Sequence, residues 1–342
     1  MVATLAISLS SARADPVDDA NAAISRKDYA TALDIFRELS ARGDSKAPVS
    51  IGNMYDQGHG VPKDSAEGFK WFLLAAERGN IEALNYVASS YEHDSVVGRN
   101  REEAIRWYRL GAAKGDARSL NHLGRIYLYG QGVTKDPAEA LRWYRIAAEH
   151  GDVRAQNQLA YLYTVGLSGV ARDDVEGIKW LRLAVEQGDS SAQFSLGLHY
   201  QRGVGVTRDY NEAFRLYRLS SAQGHAASQL RVGDMYENGE GLSRDYSEAV
   251  KWYRLSAETG EIEGIEGQIK LGLMYLKGRG VLQNYHRAHM WLNLAAIRGG
   301  EEARKNRDLV TKLMTAQQIA QAQEMAIKCR LNNFRFCDLD LP

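Results

Sequence analysis

Apolar and small residues along this chain recur at helical spacing in paired blocks separated by glycine loops. Between Ala117 and Asp152, Ser119, Leu123, Gly124 and Tyr127 share one helical stripe, and Ala140, Trp143, Tyr144, Ala147 and Ala148 share a second. Gly130-Gln131-Gly132-Val133 interrupts the two, because glycine accepts the positive φ that a helix C-cap and tight turn need. Asp136-Pro137-Ala138-Glu139 then restarts the helix, with an Asp N-cap, Pro at the first helical position and Glu placed to close a capping box. Gly151 ends it. The block predicts a helix–turn–helix.

The same block recurs. Tryptophan stands at Trp71, Trp107, Trp143, Trp180, Trp252 and Trp291, with gaps of 36, 36, 37, 72 and 39 residues. Tyr55, Tyr91, Tyr127, Tyr163, Tyr200, Tyr236 and Tyr275 keep that step, as do Gly79, Gly115, Gly151, Gly188, Gly224, Gly260 and Gly299. The cap with an acid three residues on returns as Asp64 with Glu67, Asn100 with Glu103, Asp173 with Glu176, Asp209 with Glu212 and Asp245 with Glu248, while Asn284 is followed by Arg287. A unit of this length cannot bury its apolar face alone and must stack on its neighbours, which predicts an extended array with an open surface of the kind that binds proteins or peptides. Each tryptophan can bury roughly 200 Å², about 5 kcal/mol before entropy is counted, so the tryptophans are expected to form the spine of the core. Leu216 replaces tryptophan in one copy, the expected soft joint.

Composition narrows the function classes. The 342 residues are 44% hydrophobic and carry 43 basic and 43 acidic side chains, so no net field draws in nucleic acid or an anionic membrane. No segment approaches the roughly 18 consecutive apolar residues of a membrane span. Val2 to Leu9 is apolar, and Ala12-Arg13-Ala14 before Asp15 reads as a small-x-small cleavage site. The run is short and lacks a basic start; it is read as a signal peptide shortened at its beginning, which predicts a periplasmic or secreted protein. Cys329 and Cys337 are the two cysteines, both in the tail, and in an exported chain they would close a small disulfide loop. Two unrelated free thiols are the alternative.

Other motifs have plainer explanations. Glu67, Glu103, Glu139, Glu176, Glu212 and Glu248 stand three residues before Lys70, Arg106, Arg142, Lys179, Arg215 and Lys251, and Arg145, Arg182 and Arg254 four before Glu149, Glu186 and Glu258. These read as helix-stabilising pairs on a solvated face, with a docking stripe for an acidic partner as the alternative. His286 and His289 share a helix but have no third ligand placed near them, so no metal and no cofactor is expected. The Gly-x-Gly loops neither follow a strand nor extend to a phosphate cradle. No Gly-x-Ser-x-Gly, His-Glu-x-x-His, Ser-x-x-Lys, Ser-Asp-Asn or Lys-Thr-Gly occurs.

The leucine-glycine pair, the Tyr, the Gly-x-Gly-Val loop, the Asp cap and the Trp-Tyr helix ending in Ala-Ala and Gly resemble the Sel-one-like repeat family, relatives of tetratricopeptide repeats. The resemblance covers seven copies at 45–80, 81–116, 117–152, 153–189, 190–225, 226–261 and 262–300. It implies an all-α, right-handed α/α superhelical solenoid of helix-turn-helix repeats. Residues 1–14 would be the signal segment, 15–44 a shortened capping repeat, and 301–342 terminal capping helices and tail, with Thr315 and Gln318 as a further capping box. Some cysteine-rich members are linked to penicillin binding and β-lactamase activity, but they carry cysteine pairs within each repeat and this chain does not. The copies also depart from one another. The second has Asp94-Ser95-Val96-Val97 in place of Gly-x-Gly, the fourth has an extra residue in Gly166-Leu167-Ser168-Gly169, and the seventh has three extra before its first helix.

In tetratricopeptide-like arrays the first helices line a groove, and the residue two before the leucine points into it. Carried onto this chain, that row is Val49, Asn85, Asn121, Asn157, Phe194, Leu230 and Ile269, with Arg125 and Tyr161 beside it. Three asparagines would meet an extended peptide backbone and the apolar half would seat side chains; replacing the asparagines would then weaken binding and spare the fold. Asparagine inherited through duplication, or facing solvent, is the alternative. The resulting expectation is a monomeric, non-enzymatic adaptor that binds a protein or peptide and regulates bacterial envelope signalling. A cell-wall-directed enzyme or glycan or β-lactam binder, and a structural spacer, are the competing readings.

Overall fold

The computed structural model describes residues 15–93, 96–167, 169–260, 262, 264–335 and 337. They form eighteen helices and no strand. The expected cleavage site Ala12-Arg13-Ala14 and the second-copy residues Asp94 and Ser95 lie outside the described residues.

Helices pair in chain order. α1 (Pro16–Ser25) and α2 (Tyr29–Ala41) make a helical hairpin in the segment expected as a shortened capping repeat. The seven copies follow as α3 (Ala47–Gln57) and α4 (Ser65–Glu77), α5 (Ile81–His93) and α6 (Arg101–Ala113), α7 (Ala117–Tyr129) and α8 (Pro137–Glu149), α9 (Val153–Val165) and α10 (Asp174–Glu186), α11 (Ser190–Arg202) and α12 (Tyr210–Ala222), α13 (Ala226–Asn238) and α14 (Tyr246–Ala257), and α15 (Gly264–Lys277) and α16 (Tyr285–Ile297). Capping helices α17 (Glu301–Thr311) and α18 (Ala316–Leu331) close the array, with Thr315 and Gln318 forming the reciprocal capping box. The chain divides into two compact units, one ending at Ala155 and the other starting at Gln156, so the boundary falls within α9.

Local chemistry sets the hairpins. Asp64, Asn100, Asp136, Asp173, Asp209, Asp245 and Asn284 all cap their second helices through the side chain. The capping residue's own N–H donates to the carbonyl of the repeating tyrosine, as in Asp136 to Tyr127 at 2.9 Å and Asp245 to Tyr236 at 2.9 Å, which pins the turn. The third-position glutamates turn to the base three residues on. All six such pairs form, from 2.5 Å for Lys251 with Glu248 to 3.4 Å for Arg106 with Glu103. In the loop, Gly130 is left-handed at φ 69, and Gly132 at φ 84 lies so close to α6 that an added Cβ would stand 2.6 Å from the Arg101 Cβ. The first glycine caps the helix; the second lets one repeat close on the one before it.

The tryptophans are not the deepest row of the core. Trp107, Trp180 and Trp291 are buried, but Trp71, Trp143 and Trp252 are half-buried. The following residue is buried in every copy: Phe72, Tyr108, Tyr144, Leu181, Tyr217, Tyr253 and Leu292. Glycine of the leucine-glycine pair admits this row, since a Cβ at Gly124, Gly197 or Gly233 would stand 2.6 to 2.7 Å from the ring of Tyr144, Tyr217 or Tyr253. Leu216, in the copy without tryptophan, is fully buried.

Candidate partner-binding surface

The first-helix row does more inside the array than outside it. Asn121 donates from Nδ2 to the Ala117 carbonyl at 2.8 Å and to Asp152 Oδ1 at 2.8 Å, and that same oxygen accepts the Ala155 N–H at 2.9 Å. Asn85 makes the same contact with Asp116 at 2.9 Å and accepts from the Ser119 hydroxyl at 3.0 Å. Asn157 reaches Asp189 at 3.0 Å, which in turn caps Ala192 at 2.7 Å. Each amide therefore ties one repeat to the aspartate that caps the first helix of the next. In the following copy a ring pair takes over, with Phe194 lying 4.9 Å from His225, itself the N-cap of α13. Val49, Leu230 and Ile269 are 6%, 7% and 4% exposed and belong to the core. The donors expected to meet a peptide backbone are donated within the chain, and two of the three apolar side chains expected to seat a partner are in the core.

What stays open is a narrower set. Tyr161 is 50% exposed, and Tyr129, which the sequence did not single out, is 62% exposed. Arg125 is half-buried in a polar cluster around Glu92, whose side chain is only 10% exposed. Glu92 accepts from Arg125 and, at 2.8 Å, from the Tyr108 hydroxyl. His122 stacks on Tyr108 with centroids 4.5 Å apart and puts Nδ1 3.5 Å from Glu92. Burial alone would raise the Glu92 pKa, but bonds from His122 and Tyr108 and the Arg125 charge outweigh it and lower it to about 2. Arg125 also bonds Gln131 at 3.0 Å, so the guanidinium spans loop and helix. A related cluster stands in the second unit, where the Tyr253 hydroxyl donates to Asp234 at 3.0 Å and Glu237 at 2.6 Å, and Lys270 lies 3.4 and 3.6 Å from the same carboxylates. These clusters present fixed charges and hydrogen-bonding edges on helices locked by stacking.

A Sel1 repeat profile matches residues 50–80, 81–116, 117–152, 153–189, 190–225, 226–260 and 265–300. The chain belongs to the Sel1 repeat family. Among solved structures it is similar to a Sel1 repeat protein from Oxalobacter formigenes, at 32% identity and TM-score 0.60 over 71% of this chain and 99% of that one. It is also similar to a protective antigen present in uropathogenic Escherichia coli strains that displays an SLR fold, at 26% identity and TM-score 0.52 over 96% of this chain and 80% of that one. No curated protein matches the chain. Sel1 repeats commonly serve as protein-interaction modules, and the all-α solenoid accords with both relatives.

Three further features of this Sel1 array sit outside the first-helix row. Arg109, Arg182 and Arg254 donate to the hydroxyls of Tyr127, Tyr200 and Tyr275 at 2.6, 3.3 and 3.1 Å, so the repeating tyrosine receives an arginine from the preceding copy. Cys329 and Cys337 form a disulfide with Cα atoms 4.8 Å apart. His289 is buried, and burial together with Arg307 lowers its pKa, while His286 faces Gln321 at 3.2 Å. Among the described residues no group of three metal-ligating side chains converges, and no helix is long and apolar enough to cross a membrane.

Proposed function

We propose that this Sel1 repeat chain is a non-enzymatic scaffold that binds a protein or peptide partner on its first helices and works as an exported adaptor in the cell envelope. The observation that carries the reading is the exposure of Tyr129 in the first unit and, separately, of Tyr161 in the second, each on a first helix whose row asparagine is committed to stacking. Rigid aromatic side chains with polar tips supply contact area at low entropic cost, as interface anchors do. Arg125, held by Glu92 and Gln131, adds an oriented cation near Tyr129 in the chain. Export is supported by the Cys329–Cys337 bridge, since such bonds persist in oxidising compartments. A regulatory role in envelope signalling is the form of adaptor action this reading favours.

A photo-crosslinking residue at position 129, and in a separate variant one at 161, should each capture a discrete partner in the native cell, and Arg125→Glu should reduce the yield at 129. Capture at neither position, or turnover of a chromogenic β-lactam by the purified chain, would overturn the scaffold reading. Fractionation tests export separately. A product beginning at Asp15 in the periplasm is expected, and an uncleaved cytoplasmic protein refutes it.

A further inference from the structure

A second surface is written into the other helix of the repeat. Three residues after each tryptophan, or after Leu216, stands a large apolar side chain, and in five copies it is exposed: Leu110 at 45%, Ile146 at 39%, Leu183 at 41%, Leu219 at 42% and Leu255 at 46%. The stacking of the array does not use this position. Recurrence at one register within each unit, Leu110 and Ile146 in the first and Leu183, Leu219 and Leu255 in the second, sets these residues apart from scattered exposed leucines, which would need no explanation.

We propose that the exposed row around Leu110 in the first unit docks an acidic amphipathic helix of a partner protein. The chain itself shows what covers this position. At the seventh copy the equivalent Leu294 is 3% exposed because α18 packs on α16 and brings Ala326 and Cys329 into the same core cluster. A helix presenting small and aliphatic residues at i and i+3 or i+4 is the occupant that fits there, and the earlier copies leave the same register open.

Leu110 also floors an open cavity of about 400 Å³, lined with Leu84, Trp107, Ala76 and Lys114. Trp107 is 4% exposed and backs the cavity with its buried ring. An apolar anchor entering the cavity would cover Leu84 and Leu110 together. Charge selects the acidic partner. Lys114, the C-cap of α6 at the cavity, and Arg109 within α6 pair with no carboxylate among the described residues, Arg109 donating to the neutral Tyr127 hydroxyl. Arg78, also at the cavity, bonds among the described residues to neutral oxygens alone, the Ser40 carbonyl and hydroxyl and the Asp44 carbonyl. Glu77 is the single carboxylate of the lining, so the cations prevail.

This surface is independent of the tyrosines on the first helices, and the test separates the two. The probe is a fluorescein-labelled helical peptide with leucine at every third and fourth position and glutamate elsewhere, compared with its lysine counterpart by fluorescence anisotropy on the intact chain. The acidic peptide should bind about tenfold tighter or better, with Leu110→Lys and Lys114→Glu each weakening it by about fivefold or more and Tyr129→Ala leaving it unchanged. Leu110 and Lys114 lie at the surface, and circular dichroism identifies any variant that fails to fold; Lys114→Glu then decides alone. Equal binding of the two peptides, no binding, or affinity indifferent to both substitutions overturns the proposal. Loss of binding in Tyr129→Ala with Leu110→Lys silent overturns it too, and leaves the first-helix surface standing.

Discussion

Asn121→Ala tests whether the asparagine row holds the repeats together. The substitution removes a bond to the Asp152 carboxylate and one to the Ala117 carbonyl, each 2.8 Å long. A hydrogen bond to a charged group contributes about 1.5 to 3 kcal/mol and a neutral one about 0.5 to 1.5 kcal/mol. The site is half-buried, so water replaces part of the loss and a net cost of about 1.5 to 2.5 kcal/mol follows. Asp152→Ala also loses the N-cap of α9, about 1 kcal/mol on its own. The double variant isolates the clamp. If the two side chains act through one another, urea unfolding of Asn121→Ala, Asp152→Ala and the pair should give a coupling of about 1 kcal/mol or more. Additivity within about 0.3 kcal/mol would refute the reasoning and return Asn121 to the open surface. By the same argument, replacing Asn85, Asn121 and Asn157 together lowers stability, where a row free to meet a partner would have spared the fold.

Gly124→Ala sets a methyl 2.7 Å from the buried Tyr144 ring, and overpacking should outweigh the gain in helix propensity, for a net loss of about 1 to 2 kcal/mol in thermal melting; a rise in melting temperature would contradict the packing. Thiol titration of unreduced, denatured protein should find no free cysteine, and Cys329→Ser with Cys337→Ser should cost about 2.5 kcal/mol from an eight-residue separation, with an unchanged melt refuting the clamp. Glu92 is held at about 2, below the value it takes when unfolded, so its contribution is present above the ordinary carboxylate range and lost as pH falls from about 4.5 through about 2. Glu92→Gln should therefore be less stable than the parent at pH 7, with the gap closing over that window; a gap independent of pH would show that the carboxylate charge is not what matters.

Interactions within one helical turn or one loop were legible along the chain. The Asp136 cap, the Gly130 stop, the Glu139–Arg142 pair and the Thr315–Gln318 box involve residues at most six apart, and each formed because covalent geometry brings such neighbours together regardless of the rest of the fold. The period of the tryptophans was enough to count the repeats, since only a stacked array keeps one register for so long. Burial depth was another matter. Trp143 and Tyr144 are adjacent in sequence and about 100° apart on the helix, and only the placement of α7 decides that the tyrosine faces the Gly124 backbone while the tryptophan stays half-buried. The asparagine row shows the same limit. Nothing local distinguishes an amide facing solvent from one reaching a carboxylate some thirty residues on, because that distance is set by how successive hairpins pack. Stacking joined Asn121 to Asp152 and Phe194 to His225, left Leu110 open and covered Leu294, and those pairings are properties of the packed repeats rather than of any one of them.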